Sequence, residues 1–405
     1  MEAERLTSWL RDGLYRELVE HILPYWMEHA LDREHGGFVG RITQENRVVS
    51  DAAKGSVLNS RILWSFSAAY RVLGQSEYRQ VASRAYDYLK SRFVDAEHGG
   101  VYWTLNHTGE PCDTRKHVYA QAFAIYGLSE YVRATDHEPA RELAIGIYRS
   151  VERHGTDPEH GGYFEAFSRE WDPLEDVRLS AKEPNTAKSM NTHLHLLEAY
   201  TNLYRVWPVS PLRRHLTALL DLFLTTIVDA GRNHLVAFFD ADWSPRSRCI
   251  SFGHDIEASW LLLEAADVLG DAVRRKRTRE VCLDIARVTA KEGLDEDGGL
   301  FNETTTDGAV DTDKHWWPQA EAIVGFLNAY QESGDVSFLT AAAASWTFAR
   351  KYIVDSRHGE WFFRVDRRGS PYGEEDKVGV WKCPYHNARV CLEVITRADE
   401  LGRHK

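Results

Sequence analysis

At 405 residues the chain exceeds the roughly 250–300 that one hydrophobic core usually serves, so it is either two domains or one large repeat-built domain. A net charge of −12 argues against nucleic-acid binding, which needs a clustered basic face. Five dispersed cysteines without CxxC spacing (Cys112, Cys249, Cys282, Cys383, Cys391), a charged start and no apolar run of spanning length point to reduced core thiols and a cytoplasmic protein that does not enter a membrane.

Read in order, the chain repeats itself. An amphipathic segment over 5–30 leads to the turn Asp32-Arg33-Glu34-His35-Gly36-Gly37, and a more apolar helical pattern follows over 56–73. The same parts return as 76–92, Asp95-Ala96-Glu97-His98-Gly99-Gly100 and 116–134. They come again as 138–154, Asp157-Pro158-Glu159-His160-Gly161-Gly162 and 187–206. A fourth copy (209–228, then 252–269) carries only the degenerate turn Asp229-Ala230-Gly231-Arg232-Asn233. The fifth and sixth pair 272–292 with 315–333 and 335–353 with 384–400, around Asp295-Glu296-Asp297-Gly298-Gly299 and Asp355-Ser356-Arg357-His358-Gly359. A period of about 60–70 residues suits a helix pair plus a loop.

The second helix of each pair is apolar around its whole circumference and the first is charged on one side, which predicts an inner ring inside an outer ring. The expected fold is all-α: a single (α/α)6 barrel over 1–405, with short β-hairpins in the long loops. The basic run Arg274-Arg275-Lys276-Arg277 then falls on an outer, solvated face. Short connections such as Gly74-Gln75 and Gly334-Asp335 join inner to outer helices, so the long loops gather at the N-terminal ends of the inner helices. Loops carried on a rigid scaffold are where sites are usually built.

One turn into each inner helix the sequence gives Arg61; Tyr119; Asn191 with His193 and His195; His254 with Glu257; Trp316 and Trp317 with Glu321; and Trp381 with Tyr385, His386 and Asn387. Packing alone does not call for this set. His193, His195, His254 and Glu257 have the donor types of a zinc or manganese site, but residues two apart diverge on a helix. Glu257 and Glu321 are candidates for the carboxylate pair of a glycosidase, which leaves the histidines without a role. Proton transfer at carbon uses every residue: two imidazoles as acid and base, and an arginine over the developing enediolate.

Four stretches resemble the N-acylglucosamine 2-epimerase superfamily and, within it, are similar to the cellobiose 2-epimerase group. They are Ala187–Tyr200 (AKSMNTHLHLLEAY), Gly253–Trp260 (GHDIEASW), Trp316–Glu321 (WWPQAE) and Trp381–Asn387 (WKCPYHN). The resemblance implies an (α/α)6 barrel that inverts C2 of the reducing-end sugar of a β-1,4-linked disaccharide, taking cellobiose to glucosyl-mannose and lactose to epilactose, with neither metal nor nicotinamide. It implies that His254 and His386 are the acid/base pair, that Arg61 and His195 hold the O1/O2 side of a cis-enediolate, and that Glu257 orients His254. It places Tyr119, Asn191 and Glu321 on sugar hydroxyls and Trp317 and Trp381 on the ring faces. Pro318 stands where an aliphatic residue is common in the family. The alternatives are a mannose or glucose 2-epimerase, an aldose–ketose isomerase, and an (α/α)6 glycoside hydrolase; the run Trp171–Arg178 is expected to decide whether a second sugar fits. The expected assembly is a monomer or weak homodimer.

Overall fold

A computed structural model describes residues 2–305 and 307–403 and contains twelve long helices among them. They come in pairs. Helix α1 (Glu2–Arg16) runs on through a π-helical turn, Glu17–Ile22, into Leu23–His29, and is followed by α2 (Ser56–Leu73). Next are α3 (Ser76–Tyr88, with a π-helical turn over Leu89–Phe93) and α4 (Val118–Thr135), then α5 (Glu138–His154) and α6 (Met190–Val206). After them come α7 (Ser210–Leu222, with a π-helical turn over Phe223–Ile227) and α8 (Phe252–Leu269), then α9 (Ala272–Glu292) and α10 (Trp316–Ser333). The last pair is α11 (Val336–Phe348, with a π-helical turn over Ala349–Ile353) and α12 (Tyr385–Arg403).

The even-numbered helices pack in cyclic order, α2 on α4 and so on to α10 on α12, and α12 returns to α2. The odd-numbered helices lie outside them. Burial follows the apolar pattern. Every residue of α4 from Val118 to Val132 is buried, whereas α5 buries one face through Ala140, Ala144, Ile145, Ile147, Tyr148 and Val151. Gly74, Gly270 and Gly334 adopt left-handed conformations (φ +81°, +68° and +74°) that end α2, α8 and α10 and let the chain reverse at once into the next outer helix. The basic run on α9 is solvated and paired: Arg274 with Asp221 and Asp271, Arg275 with Asp267 and Glu332. No helix among the described residues is long and apolar enough to cross a membrane. Cys282, Cys383 and Cys391 are buried as expected, but Cys112 is exposed on the short edge strand Pro111–Asp113 and Cys249 is half-buried in a loop.

Short strands stitch each repeat to the next. Lys54-Gly55 pairs with Thr104-Leu105, Lys116-His117 with Ala166-Phe167, Lys188-Ser189 with Phe238-Phe239, and Lys314-His315 with Arg364-Val365. Single bridges complete the circuit: Ser251 to Glu303, and Val378 back to Ile42. The residues just before the inner helices are thus held in place by the following repeat.

A buried ion pair reinforces five of the six junctions. In the turn Asp157–Gly162, one carboxylate oxygen of Asp157 accepts from the backbone N–H groups of Glu159 and His160, and the other accepts from Lys188 Nζ at 2.6 Å. Lys54 does the same for Asp32, Lys116 for Asp95, Lys314 for Asp295 and Lys377 for Asp355. In four of these the lysine stands two residues before the inner helix, a periodic signal that was legible in the sequence. The fourth repeat differs. Ile250 takes the lysine position, and buried His234 bridges Asp255 on α8 (2.7 Å) and Glu292 on α9 (3.2 Å).

Candidate active site

A cavity of about 450 Å³ opens at the N-terminal ends of the inner helices, where the long loops converge. Arg61, Tyr119, Asn191, His195, His254, Glu257, Trp317, Trp381 and His386 all line it, joined by Trp316, Phe363 and the loop Leu179–Glu183. Glu321 does not reach the cavity; it lies behind His386. The loop wall is Leu179–Glu183 rather than Trp171–Arg178, because Trp171 turns away to stack on His154 with ring centroids 5.1 Å apart.

Three imidazoles face this space, each fixed from behind through Nδ1, so that each directs Nε2 forward. His386 Nδ1 donates to Glu321 Oε1 at 2.7 Å, His195 Nδ1 donates to Glu198 Oε2 at 2.9 Å, and His254 Nδ1 lies 2.7 Å from Ser251 Oγ. A carboxylate behind an imidazole fixes its tautomer and stabilises its cation, whereas a serine hydroxyl can accept or donate. The indole of Trp317 packs against two of the rings, with centroids 4.7 Å from His254 and 5.5 Å from His386. Burial lowers the pKa of all three histidines, that of His254 to about 3, and the positive charges of Arg61 and Arg389 push His386 further down. The neutral form of all three is therefore favoured at pH 7.

The sequence pairs Glu257 with His254 by their i, i+3 spacing and sets Glu321 on the sugar, and the structure corrects both. Glu257 Oε1 accepts from Arg389 Nη2 at 2.5 Å, and His254 turns to Ser251 instead. Glu321 accepts from His386, from Arg389 Nη2 at 2.6 Å and from Trp260 Nε1 at 3.1 Å. Spacing along one helix cannot reveal a partner that arrives from the helix opposite. Arg389 went unnoticed for the same reason, whereas Glu198 lies on His195's own helix; each stands three residues after a site histidine, a spacing the sequence shows.

Arg61 is buried, yet its partners here are the Tyr119 hydroxyl (2.8 Å), the Cys383 thiol (3.9 Å) and the faces of Phe123 and Tyr385, none of them a carboxylate. A guanidinium desolvated without an anion is prepared to receive one. Three further groups of residues on the cavity wall lack partners among the described residues: Asn191 Oδ1, Trp316 Nε1 and Glu257 Oε2. Burial and the neighbouring Glu321 charge raise the Glu257 pKa, which favours a proton on that free oxygen.

The rival chemistries meet specific obstacles. His193 points away from the cavity and spends both ring nitrogens on the fold, Nδ1 with Ser189 O at 2.7 Å and Nε2 accepting from Tyr163 N at 2.9 Å. Ligand atoms of Glu257, Glu321 and His386 lie within 4.8 Å of one another, but the Arg389 guanidinium already occupies the position a cation would take. The same arginine holds Glu257 and Glu321 on one side, not facing each other across a glycosidic bond as hydrolysis requires.

Comparison with known proteins agrees with this geometry. The family model for N-acylglucosamine 2-epimerase (GlcNAc 2-epimerase) matches residues 36–389. The cellobiose 2-epimerase of Bacteroides fragilis is 49% identical over 387 residues, covering 95% of this chain and 98% of that one. The structure of cellobiose 2-epimerase from Bacillus thermoamylovorans B4167 superposes with a TM-score of 0.93 at 41% identity, covering 96% and 99% of the two chains. A D-mannose isomerase shares the fold (TM-score 0.81) at 22% identity, with 94% and 97% covered. With a family model matching most of its length and relatives this similar along nearly all of it, the chain belongs to the N-acylglucosamine 2-epimerase family and is a carbohydrate epimerase.

Proposed function

We propose that the twelve helices form one (α/α)6 barrel, a single domain, whose cavity inverts C2 of the reducing-end glucose of a β-1,4-linked disaccharide. Cellobiose would give glucosyl-mannose and lactose would give epilactose. The cyclic packing of the inner helices and the last-to-first bridge between Val378 and Ile42 support the barrel. The observation that carries the chemistry is the grouping of three imidazoles, His195 and His386 buried and His254 half-buried, with a carboxylate-free arginine around one cavity of about 450 Å³. The cellobiose 2-epimerase relatives support the disaccharide.

Once the sugar ring has opened, Arg61 polarises O1 and makes the C2 proton acidic. His386 Nε2 takes that proton, and Glu321 behind it stabilises the imidazolium. The cis-enediolate places its charge against Arg61 and His195. Rotation about C2–C3 presents the other face, and His254 returns a proton there. The pair carries one extra proton, taken from solvent with the substrate and held by His254 before turnover; it ends on His386, and exchange with solvent resets it. A proton leaves and a proton returns, so no net redox change occurs. Each positioned acid or base contributes roughly 10²–10⁴-fold. Trp317 and Trp381 lie against the ring faces, while Tyr119, Asn191 and the free oxygen of Glu257 meet hydroxyls. The loop Leu179–Glu183 lies where a second sugar ring leaves the cavity.

The test is incubation with cellobiose, lactose, mannose and glucose in heavy water, followed by sugar analysis. Epimerised disaccharide with deuterium at C2 is expected. Turnover of mannose alone would overturn the disaccharide assignment, and unlabelled product would overturn the proton-transfer route.

A further inference from the structure

Arg389 lies on the second turn of α12, fully buried, and gathers carboxylates from three other inner helices. Its Nη1 donates to Glu198 of α6, and its Nη2 donates to Glu257 of α8 (2.5 Å) and Glu321 of α10 (2.6 Å). Tyr385 closes the cluster by donating to Glu198 Oε1 at 2.5 Å. Two of these three carboxylates are the ones behind His195 and His386. Three buried glutamates around one guanidinium carry more negative charge than a low-dielectric interior tolerates, so one must take up a proton. Glu257 is the one with an oxygen free of partners, and its side chain lines the cavity. Glu198 and Glu321 then serve as acceptors, which places a proton on Nδ1 of each histidine.

We infer that Arg389 is a positioning residue of the reaction: a single guanidinium, acting through Glu198 and Glu321, determines which ring nitrogens of His195 and His386 face the sugar. This rests on the epimerase reading for its kinetic consequence, though not for its effect on the two rings. The charged groups around His386 are Arg61 of α2, His195 and Glu198 of α6, Glu257 of α8, Glu321 of α10 and Arg389 itself. Among them Arg389 is the cation tied directly to the carboxylate that His386 uses. Lysine at this position keeps a charge but lacks the fork that reaches three carboxylates at once.

The experiment compares wild type with Arg389→Lys and Arg389→Gln, using Arg397→Lys as a control. Arg397 lies two turns further along α12 and binds Asn328, Gln331 and Glu393, none of which backs a histidine. Nitrogen-15 spectra of ring-labelled histidines are recorded beside kcat and KM profiles against pH. In wild type, His195 and His386 are expected as Nδ1–H tautomers. In Arg389→Gln, losing a cation this close raises the His386 pKa by about one unit or more, whereas Arg389→Lys keeps the charge and releases the two rings. The acid limb of kcat for Arg389→Gln moves up by the same amount, kcat of both variants falls about 100-fold or more as for loss of an oriented base, and KM changes little. The control lowers thermal stability and leaves the acid limb in place. A wild-type His386 protonated on Nε2 would overturn the inference even if no Arg389 variant folds. Folded variants with unmoved rings and an unmoved limb would overturn it as well. Ring shifts in a protein that turns over no sugar would instead refute the epimerase reading and leave the charge arrangement standing.

Discussion

Lys188→Met is the sharpest test of what holds the site in place. Lys188 Nζ spends all three of its hydrogens, on Asp157 Oδ2 (2.6 Å), Gly161 O (2.7 Å) and Ala241 O (2.6 Å). The two charged side chains are 0% and 3% exposed. That burial decides the magnitude. A surface pair would be worth about 0–1 kcal/mol, whereas removing one partner of a buried pair strands the other charge and costs about 3–5 kcal/mol. Methionine fills much of the lysine's volume, so the loss reports the stranded Asp157 carboxylate and the two carbonyls rather than a void. Burial lowers the Lys188 pKa despite Asp157 beside it, so the pair itself is near break-even and its disruption is what costs. Lys188→Met together with Asp157→Asn should therefore recover most of the stability, because asparagine still accepts from the Glu159 and His160 amides without a charge. Urea unfolding followed by circular dichroism measures both variants. A loss under about 1 kcal/mol for the single change would place the pair in the surface class and refute the reasoning. A double variant no more stable than the single would do the same. The change should also lower activity beyond the fraction unfolded, since Lys188 stands two residues before α6, which carries Asn191 and His195.

His386→Ala should reduce kcat by about 10²–10⁴-fold with an unchanged circular dichroism spectrum; wild-type turnover would remove it from the acid/base pair. Ser251→Ala leaves His254 Nδ1 without its partner and should cost activity while sparing stability, read as kcat against urea midpoint. Burial depresses the pKa of His117 and His254 to about 3 and of His193 and His315 to about 4, against about 6.5 in an unfolded chain. The unfolded chain therefore binds more protons across that window, so their contribution is complete above pH 6.5 and lost as pH falls toward 3; a urea midpoint that rises on acidification from pH 6.5 to 4.5 would contradict this. Activity should survive EDTA, and its loss with recovery on adding a divalent metal would reopen the site formed by Glu257, Glu321 and His386.

Helix placement was legible because each inner helix repeats an apolar pattern between breakers. The span 252–269 matches α8, and 315–333 differs from α10 by one residue. The positions of Arg61, His195, His254 and His386 were legible too, since a ring of equivalent helix starts brings equivalent residues to one cavity. The carboxylates were not. Glu257 sits one helical turn from His254 yet bonds to an arginine 132 residues away, and Glu321 supports a histidine 65 residues away. Likewise the loop facing the cavity proved to be Leu179–Glu183, one segment beyond the expected run, because Trp171 found a stacking partner in His154.

By itself the sequence determined the count and order of the helices and the composition of the cavity wall, because periodicity and side-chain type are local properties of a chain. Only the tertiary structure decided that Glu321 stands behind His386, that Glu257 turns from His254 to Arg389, and that Arg389 joins the carboxylates. Those pairings depend on how far apart the inner helices sit and how each is turned about its axis, and no spacing along a single helix contains that information.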